Sequence, residues 1–227
     1  MNIEQQISDI PLFNGLSEGQ LSGLAGIVTE KRVNRGQTIF SEGDKGDGFY
    51  VVISGRVKVY KMSPDGREQI LHILGPGELF GEVPVFAGAH FPANAQAMEE
   101  GWIFYFSRDS MVRLIEKNPS IAMGMLSVLS KRLRMFASMI DDLSLKEVPG
   151  RLASYLLYLD RKGKGFENLE LDITKGQLAS LLGTIPETLS RILAKMSGQG
   201  IIESEGPKIK IIDRQGLEDL ASGLDRL

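Results

Sequence analysis

The chain contains no cysteine. That excludes a disulfide framework, a cysteine-ligated zinc ion and an iron–sulfur cluster held by thiolates. Histidine is almost as scarce: His72 and His90 are the only two in 227 residues. The set of several histidines and a carboxylate that a cupin-like jelly-roll enzyme needs for its metal is not supplied, so an enzyme is not expected. There is no basic excess either. Twenty-six Lys and Arg stand against 29 Asp and Glu, a formal net charge of -3, so any affinity for nucleic acid must come from a local surface rather than the global field. No apolar run reaches the ~18 residues of a membrane span and no signal-peptide core is present, which points to a soluble cytoplasmic protein with no membrane partner. The length is comfortable for two domains.

The most structured pattern lies from Thr174 to Ile212. Leu178, Leu181 and Leu182 form one helical stripe, and Leu189, Ile192, Leu193 and Met196 form a second. Thr174 with Gln177, and Thr184 with Glu187, both have capping-box spacing, and Gly183 falls where the chain must turn between the helices. If the second helix buries its aliphatic side, Glu187, Thr188, Ser190, Arg191 and Lys195 face outward. By type they suit base and phosphate contacts in a major groove: Arg bonds guanine bidentately and Glu accepts from the cytosine amino group. The plainer alternative makes Glu187 only a cap and Glu187 with Arg191 only a surface i,i+4 pair. Beyond Gly200, Ile201 and Ile202, a Gly206-Pro207 turn, and Ile209 and Ile211 alternating with Lys208 and Lys210 predict a hairpin wing.

Between Val33 and Phe106 the chain reads as short strands at Thr38–Phe40, Gly48–Ile53, Arg56–Lys61, Gln69–Leu74 and Gly101–Phe106, separated by Gly-, Pro- and Asp-rich turns. That spacing predicts a small barrel or jelly roll, with helical segments from Ile3 to Ile27 outside it and Pro64-Asp65-Gly66 closing a hairpin. From Pro119 to Leu145, Ala122, Leu126, Leu129, Leu133, Phe136, Ile140 and Leu143 recur in an unbroken heptad seam. Met125, Val128, Met135 and Met139 form a neighbouring stripe. Two stripes are too wide for one contact surface, so one should pack on the barrel and the other on the same helix of a second subunit. A hinge is expected at Val148-Pro149-Gly150. The expected organisation is α+β, with a sensor domain over 1–118, a dimerisation helix over 119–147 and a winged helix-turn-helix domain over 148–227.

The pattern from Gly36 to Asp44, the run from Phe49 to Tyr60, the GPGELFGE run from Gly75 to Glu82, the long helix and the Glu187-x-x-Ser190-Arg191 motif together resemble the Crp/Fnr superfamily of bacterial transcription regulators. The resemblance implies an N-terminal cyclic-nucleotide-binding-like β jelly roll, a homodimer, and double-stranded palindromic promoter DNA as partner, with RNA polymerase as a further partner of an activator. It also implies that Glu187, Ser190 and Arg191 read a TTGA-type half-site.

In that superfamily a cyclic-nucleotide site pairs a Gly-Glu, matched by Gly81 and Glu82, with an arginine about ten residues later that neutralises the phosphate. Here Pro92 stands near that place, and no Arg or Lys occurs between Arg67 and Arg108. A buried phosphate without a cation is disfavoured, so cyclic AMP is not the expected effector, and Glu82 is expected to accept from loop N–H groups. The stretches Phe91–Ala97, Phe104–Ser107, Leu143–Lys146 and Pro186–Arg191 look closest to the Dnr and HcpR types of nitrosative-stress regulator, which implies haem b and nitric oxide. The expected effector pocket comprises Gly81, Glu82, His90, Phe91, Leu126 and Leu129, with His90 as haem ligand. His72 reads as a structural strand residue. A cyclic-nucleotide-responsive regulator and one that needs no effector remain open alternatives.

Overall fold

The computed structural model describes residues 3–14, 16–88, 90–162, 168–224 and 227. Two compact units divide the chain, Met1–Leu133 and Arg134–Leu227.

The first unit begins with two short helices, α1 (Ile3–Ser8) and α2 (Glu18–Ala25), joined through a 3-10 turn at Pro11–Phe13. Strands β1 (Val28–Val33), β2 (Thr38–Phe40), β3 (Gly48–Ser54), β4 (Val57–Met62), β5 (Glu68–Leu74) and β6 (Leu79–Phe80) follow. After them come α3 (Val83–Ala87), β7 (Asn94–Ala97), β8 (Gly101–Ser107), α4 (Arg108–Lys117) and α5 (Pro119–Leu145), which begins in the first unit and ends in the second. The strands form two antiparallel four-stranded sheets, ordered β1-β8-β3-β6 and β2-β7-β4-β5. This is the expected jelly roll.

Strand β3 shows why its sequence is a nearly continuous apolar run. Successive side chains leave a strand on opposite faces. Tyr50 and Val52 join Phe40, Phe80, Phe91 and Ile103 in one core, while Phe49 and Val51 join Phe13, Phe104, Phe106 and Met111 in a second. That second cluster also takes Ile121 and Met125 from α5, with Val128 packed against it. The Met125/Val128 stripe therefore does lie on the barrel side, as the width of the apolar arc suggested.

The strands read from the sequence recur within a residue or two, and the Pro64-Asp65-Gly66 turn closes the β4/β5 hairpin. Strands β1, β6 and β7 were not anticipated. The first is a polar sheet edge, exposed from Thr29 to Arg32, the second has only two residues, and the third is an Asn-Ala-Gln-Ala run without β-branched or aromatic residues.

The second unit comprises α6 (Val148–Lys162), β9 (Asn168–Glu170), α7 (Lys175–Leu181), α8 (Pro186–Gly198), β10 (Ile202–Glu205), β11 (Lys208–Ile211) and α9 (Arg214–Ser222). Its three strands form one antiparallel sheet, β10-β11-β9. The expected hinge residues Val148-Pro149-Gly150 are the first turn of α6 rather than a loop. Proline is well placed there, because the first turn has N–H groups with no intrahelical acceptor and a φ that the ring presets. Among the described residues, no helix is long and apolar enough to cross a membrane.

Candidate nucleic-acid interface and effector site

Helix α7 starts as its sequence dictates. Thr174 Oγ1 accepts from the Gln177 N–H at 3.2 Å, and Gln177 Oε1 accepts from the Thr174 N–H at 2.9 Å. At its end Gly183 takes a φ of 65°, the left-handed region that favours glycine, and the Thr184 N–H returns to the Ala179 carbonyl at 2.9 Å. Arg151, on α6, donates from Nη1 to the Leu182 carbonyl at 2.9 Å. It thereby satisfies one of the acceptors that the end of α7 leaves open.

Helix α8 differs from its expected start. Its N-cap is Ile185 and Pro186 opens the helix, so the Thr184/Glu187 capping box does not form. Leu189, Ile192, Leu193 and Met196 are buried as expected. On the opposite side Glu187, Ser190, Arg191 and Lys195 are exposed and Thr188 is half-buried. Among the described residues none of these five side chains is held by a hydrogen bond or ion pair, and the Glu187–Arg191 surface pair is not made. Four exposed polar groups on one helix, with no partner among the described residues, are free for an external one.

The wing follows. Ile202 pairs with Ile211 and Glu205 with Lys208 across the Gly206-Pro207 turn. Strand β9 completes the sheet on the far side of β11, with Leu169 opposite Ile209. This third strand was missed, although Leu169, Leu171 and Ile173 alternate before α7. Helix α9 seals the unit: Asp213 accepts from the Gly216 N–H at 3.0 Å, and Arg214 pairs with the buried Asp160 of α6.

In the barrel, Gly81, Glu82 and Phe91 come together. Gly81 has a φ of 73°, and a Cβ there would lie 3.0 Å from the Phe40 ring and 3.1 Å from the Phe91 ring. Phe91 lies flat on Phe40, with ring centroids 3.7 Å apart and planes 8° apart. Tyr50 and Phe80 stack on Phe40 as well, so Phe91 belongs to an aromatic cluster within one core of the barrel.

Glu82 is buried, and its partner is not the backbone of its own loop. Arg132, from α5, donates from Nη1 to Glu82 Oε1 at 2.7 Å and from Nη2 to the Leu79 carbonyl at 2.5 Å. Both side chains are largely removed from solvent. Arg132 was not legible as the partner of Glu82 because it lies fifty residues on, in a helix rather than in the flanking strands.

The other expected pocket residues include two on α5, the helix whose Arg132 reaches Glu82. Leu126 is 55% exposed on α5 and Leu129 is half-buried. His90 is exposed and borders a separate cavity of about 340 Å³, lined by Lys45, Asp47, Pro84, Arg108 and Asp109 among others. Haem requires an apolar pocket beside its axial ligand. The cavity that His90 borders, with four charged side chains on its wall, does not fit it. His72 stands in β5 opposite Val59, with Nε2 3.4 Å from Glu78 Oε1, as a strand residue.

Two family models match the chain: a cyclic nucleotide-binding domain over residues 30–118 and a Crp-like helix-turn-helix domain over residues 150–220. A CRP-like cAMP-activated global transcriptional regulator of Mycobacterium tuberculosis is 34% identical over 210 residues, covering 91% of this chain and 94% of that protein. This chain belongs to the Crp/Fnr family of transcription regulators. The fumarate and nitrate reduction regulatory protein of Escherichia coli is 31% identical over 220 residues, 95% of this chain and 88% of the relative. Among solved structures, the catabolite activator protein of Thermus thermophilus is 32% identical, covers 95% of this chain and all of its own, and superposes with a TM-score of 0.55.

Proposed function

We propose that the protein is a homodimeric regulator that binds palindromic promoter DNA through α8 and the β10/β11 wing. The observation that carries this reading is the set of unpartnered side chains Glu187, Ser190, Arg191 and Lys195 on the exposed side of a helix whose other side is buried. Dimerisation is supported by the α5 seam. Leu126, Leu133 and Ile140 are 55%, 70% and 65% exposed at gaps of seven, and a second copy of the helix would cover them. A two-fold dimer presents its reading helices to half-sites about 34–36 Å apart. The test is anisotropy titration of labelled duplexes carrying two TTGA-type half-sites, either in helical phase or with five further base pairs between them. Tight binding only of the in-phase duplex is expected. Equal affinity for both would defeat the dimeric reading.

The effector reading keeps a molecule other than a cyclic nucleotide first. The stretch between Arg67 and Arg108 supplies no cation, Pro92 stands where one is expected, and the guanidinium at Glu82 is committed to that carboxylate and to the Leu79 carbonyl. Nitric oxide acting through haem on His90 loses its support with the position of that histidine. A cyclic-nucleotide response is the second reading, favoured by one observation: Arg132 brings to Gly81-Glu82 a positive charge that the stretch between Arg67 and Arg108 lacks. Either effector would act by binding one of two conformations more tightly than the other.

A further inference from the structure

Ile185 occupies the N-cap of the reading helix and contributes nothing to capping it. Its φ of -110° and ψ of 154° are ordinary for that position. There a Ser, Thr, Asp or Asn side chain would satisfy a free N–H, and an aliphatic one cannot. The chain uses the favoured residues elsewhere: Ser107, Thr174 and Asp213 each accept a backbone N–H at a helix start. Packing does not account for the choice either. Ile185 is 49% exposed, whereas the buried side of α8 is supplied by Leu189, Ile192, Leu193 and Met196. A β-branched aliphatic residue therefore stands in solvent two positions ahead of Glu187, at the end of the helix that contacts base edges in helix-turn-helix docking.

Resting on the DNA-binding reading above, we propose that Ile185 determines sequence preference by packing against the 5-methyl group of a thymine. That methyl is the apolar group which distinguishes thymine in the major groove. An exposed apolar side chain beside unpartnered polar ones matches a half-site that mixes thymine with hydrogen-bonding bases. The missing cap and the exposed aliphatic surface then have one common cause.

The test starts from the full-length protein and a randomised palindromic library, from which the wild-type dimer selects its own half-site. Each thymine of that half-site is then replaced in turn by deoxyuridine, which removes only the methyl. At one position wild-type affinity should fall about fourfold per half-site, the worth of one buried methyl. With Ile185→Ser that fall should vanish, while Ser as a good N-cap raises the melting temperature, so the lost discrimination cannot come from unfolding. A library that enriches no sequence would overturn the DNA-binding reading itself. A selected half-site without thymine, or equal responses of wild type and Ile185→Ser to every uracil, would overturn the role of Ile185 and leave the DNA-binding reading intact.

Discussion

Arg132 Nη1 lies 2.7 Å from Glu82 Oε1, joining the long helix to the loop that carries the Gly-Glu pair of a cyclic-nucleotide-binding domain. Fifty residues separate the two in sequence. The contact does two things at once. It neutralises a carboxylate that is 7% exposed, and through the Leu79 carbonyl it ties α5 to the end of strand β6. Any molecule that competes for either group has a direct mechanical route to the helix bearing the apolar seam.

Breaking that pair from one side should be costly. Arg132→Met leaves a buried carboxylate without its cation, a change worth about 3–5 kcal/mol where burial is deep. Glu82→Gln in the same chain removes the orphaned charge and should recover a large part of the loss. Urea denaturation of the single and double variants measures this. Additive losses in the double variant would show that the two side chains do not act as a pair.

The seam of α5 gives a separate outcome. Leu133 and Ile140 are largely exposed in a single chain, so glutamate at both should leave the fold of each unit within about 0.5 kcal/mol per site. The same substitutions would place charge inside a helix–helix interface. Sedimentation should show a wild-type dimer and a folded monomeric Leu133→Glu/Ile140→Glu variant with unchanged helical signal. A wild-type monomer at micromolar concentration, with and without DNA, would remove dimerisation.

The alkaline limit of the barrel follows from Tyr105. Burial, and the Asp47 carboxylate that accepts its O–H at 2.6 Å, hold the phenol well above its ordinary pKa; burial raises Tyr50 as well. A phenol pKa raised in the folded state stabilises the neutral form, so its contribution is intact below the unfolded value near 10 and is lost as pH rises beyond it. Absorbance titration should show tyrosinate forming late in the native protein, and Asp47→Asn should advance it.

Periodic patterns were legible in the sequence and contacts between distant segments were not. The α5 boundaries, the helix-turn-helix and the β4/β5 hairpin follow from local spacing and turn chemistry. Two contacts did not follow from proximity in sequence: His90 adjoins Phe91 yet borders a charged cavity, and Glu82 finds its cation on a helix. One signal was available. Arg132 interrupts the Met125, Val128, Met135, Met139 stripe at its own spacing of three and four, and a guanidinium on a barrel-facing stripe must find an acceptor.

Reading-head substitutions should separate base contacts from phosphate contacts. Arg191→Ala removes a group able to bond guanine bidentately, so it should cost about 1–3 kcal/mol on a TTGA-type palindrome and relax preference at one base pair. Lys195→Ala should weaken specific and random duplexes alike and lower the salt slope by about 1. Equal losses on both duplexes for Arg191→Ala would end its base-reading role.

The effector prediction is the most exposed to refutation. Cyclic AMP or cyclic GMP entering beside Glu82 would bring a phosphate to a carboxylate whose cationic partner is already engaged on both guanidinium arms. Binding would have to release Arg132 from Glu82, leaving that carboxylate buried, or tolerate an unpaired phosphate, and both are unfavourable. Calorimetric titration of the full-length protein should therefore show no saturable binding of either nucleotide in the micromolar range. Glu82→Gln, which frees the guanidinium while keeping the side-chain shape, should create weak binding where the wild type has none. Micromolar binding by the wild type, abolished by Arg132→Met, would instead establish Arg132 as the phosphate partner and the cyclic-nucleotide reading as the correct one.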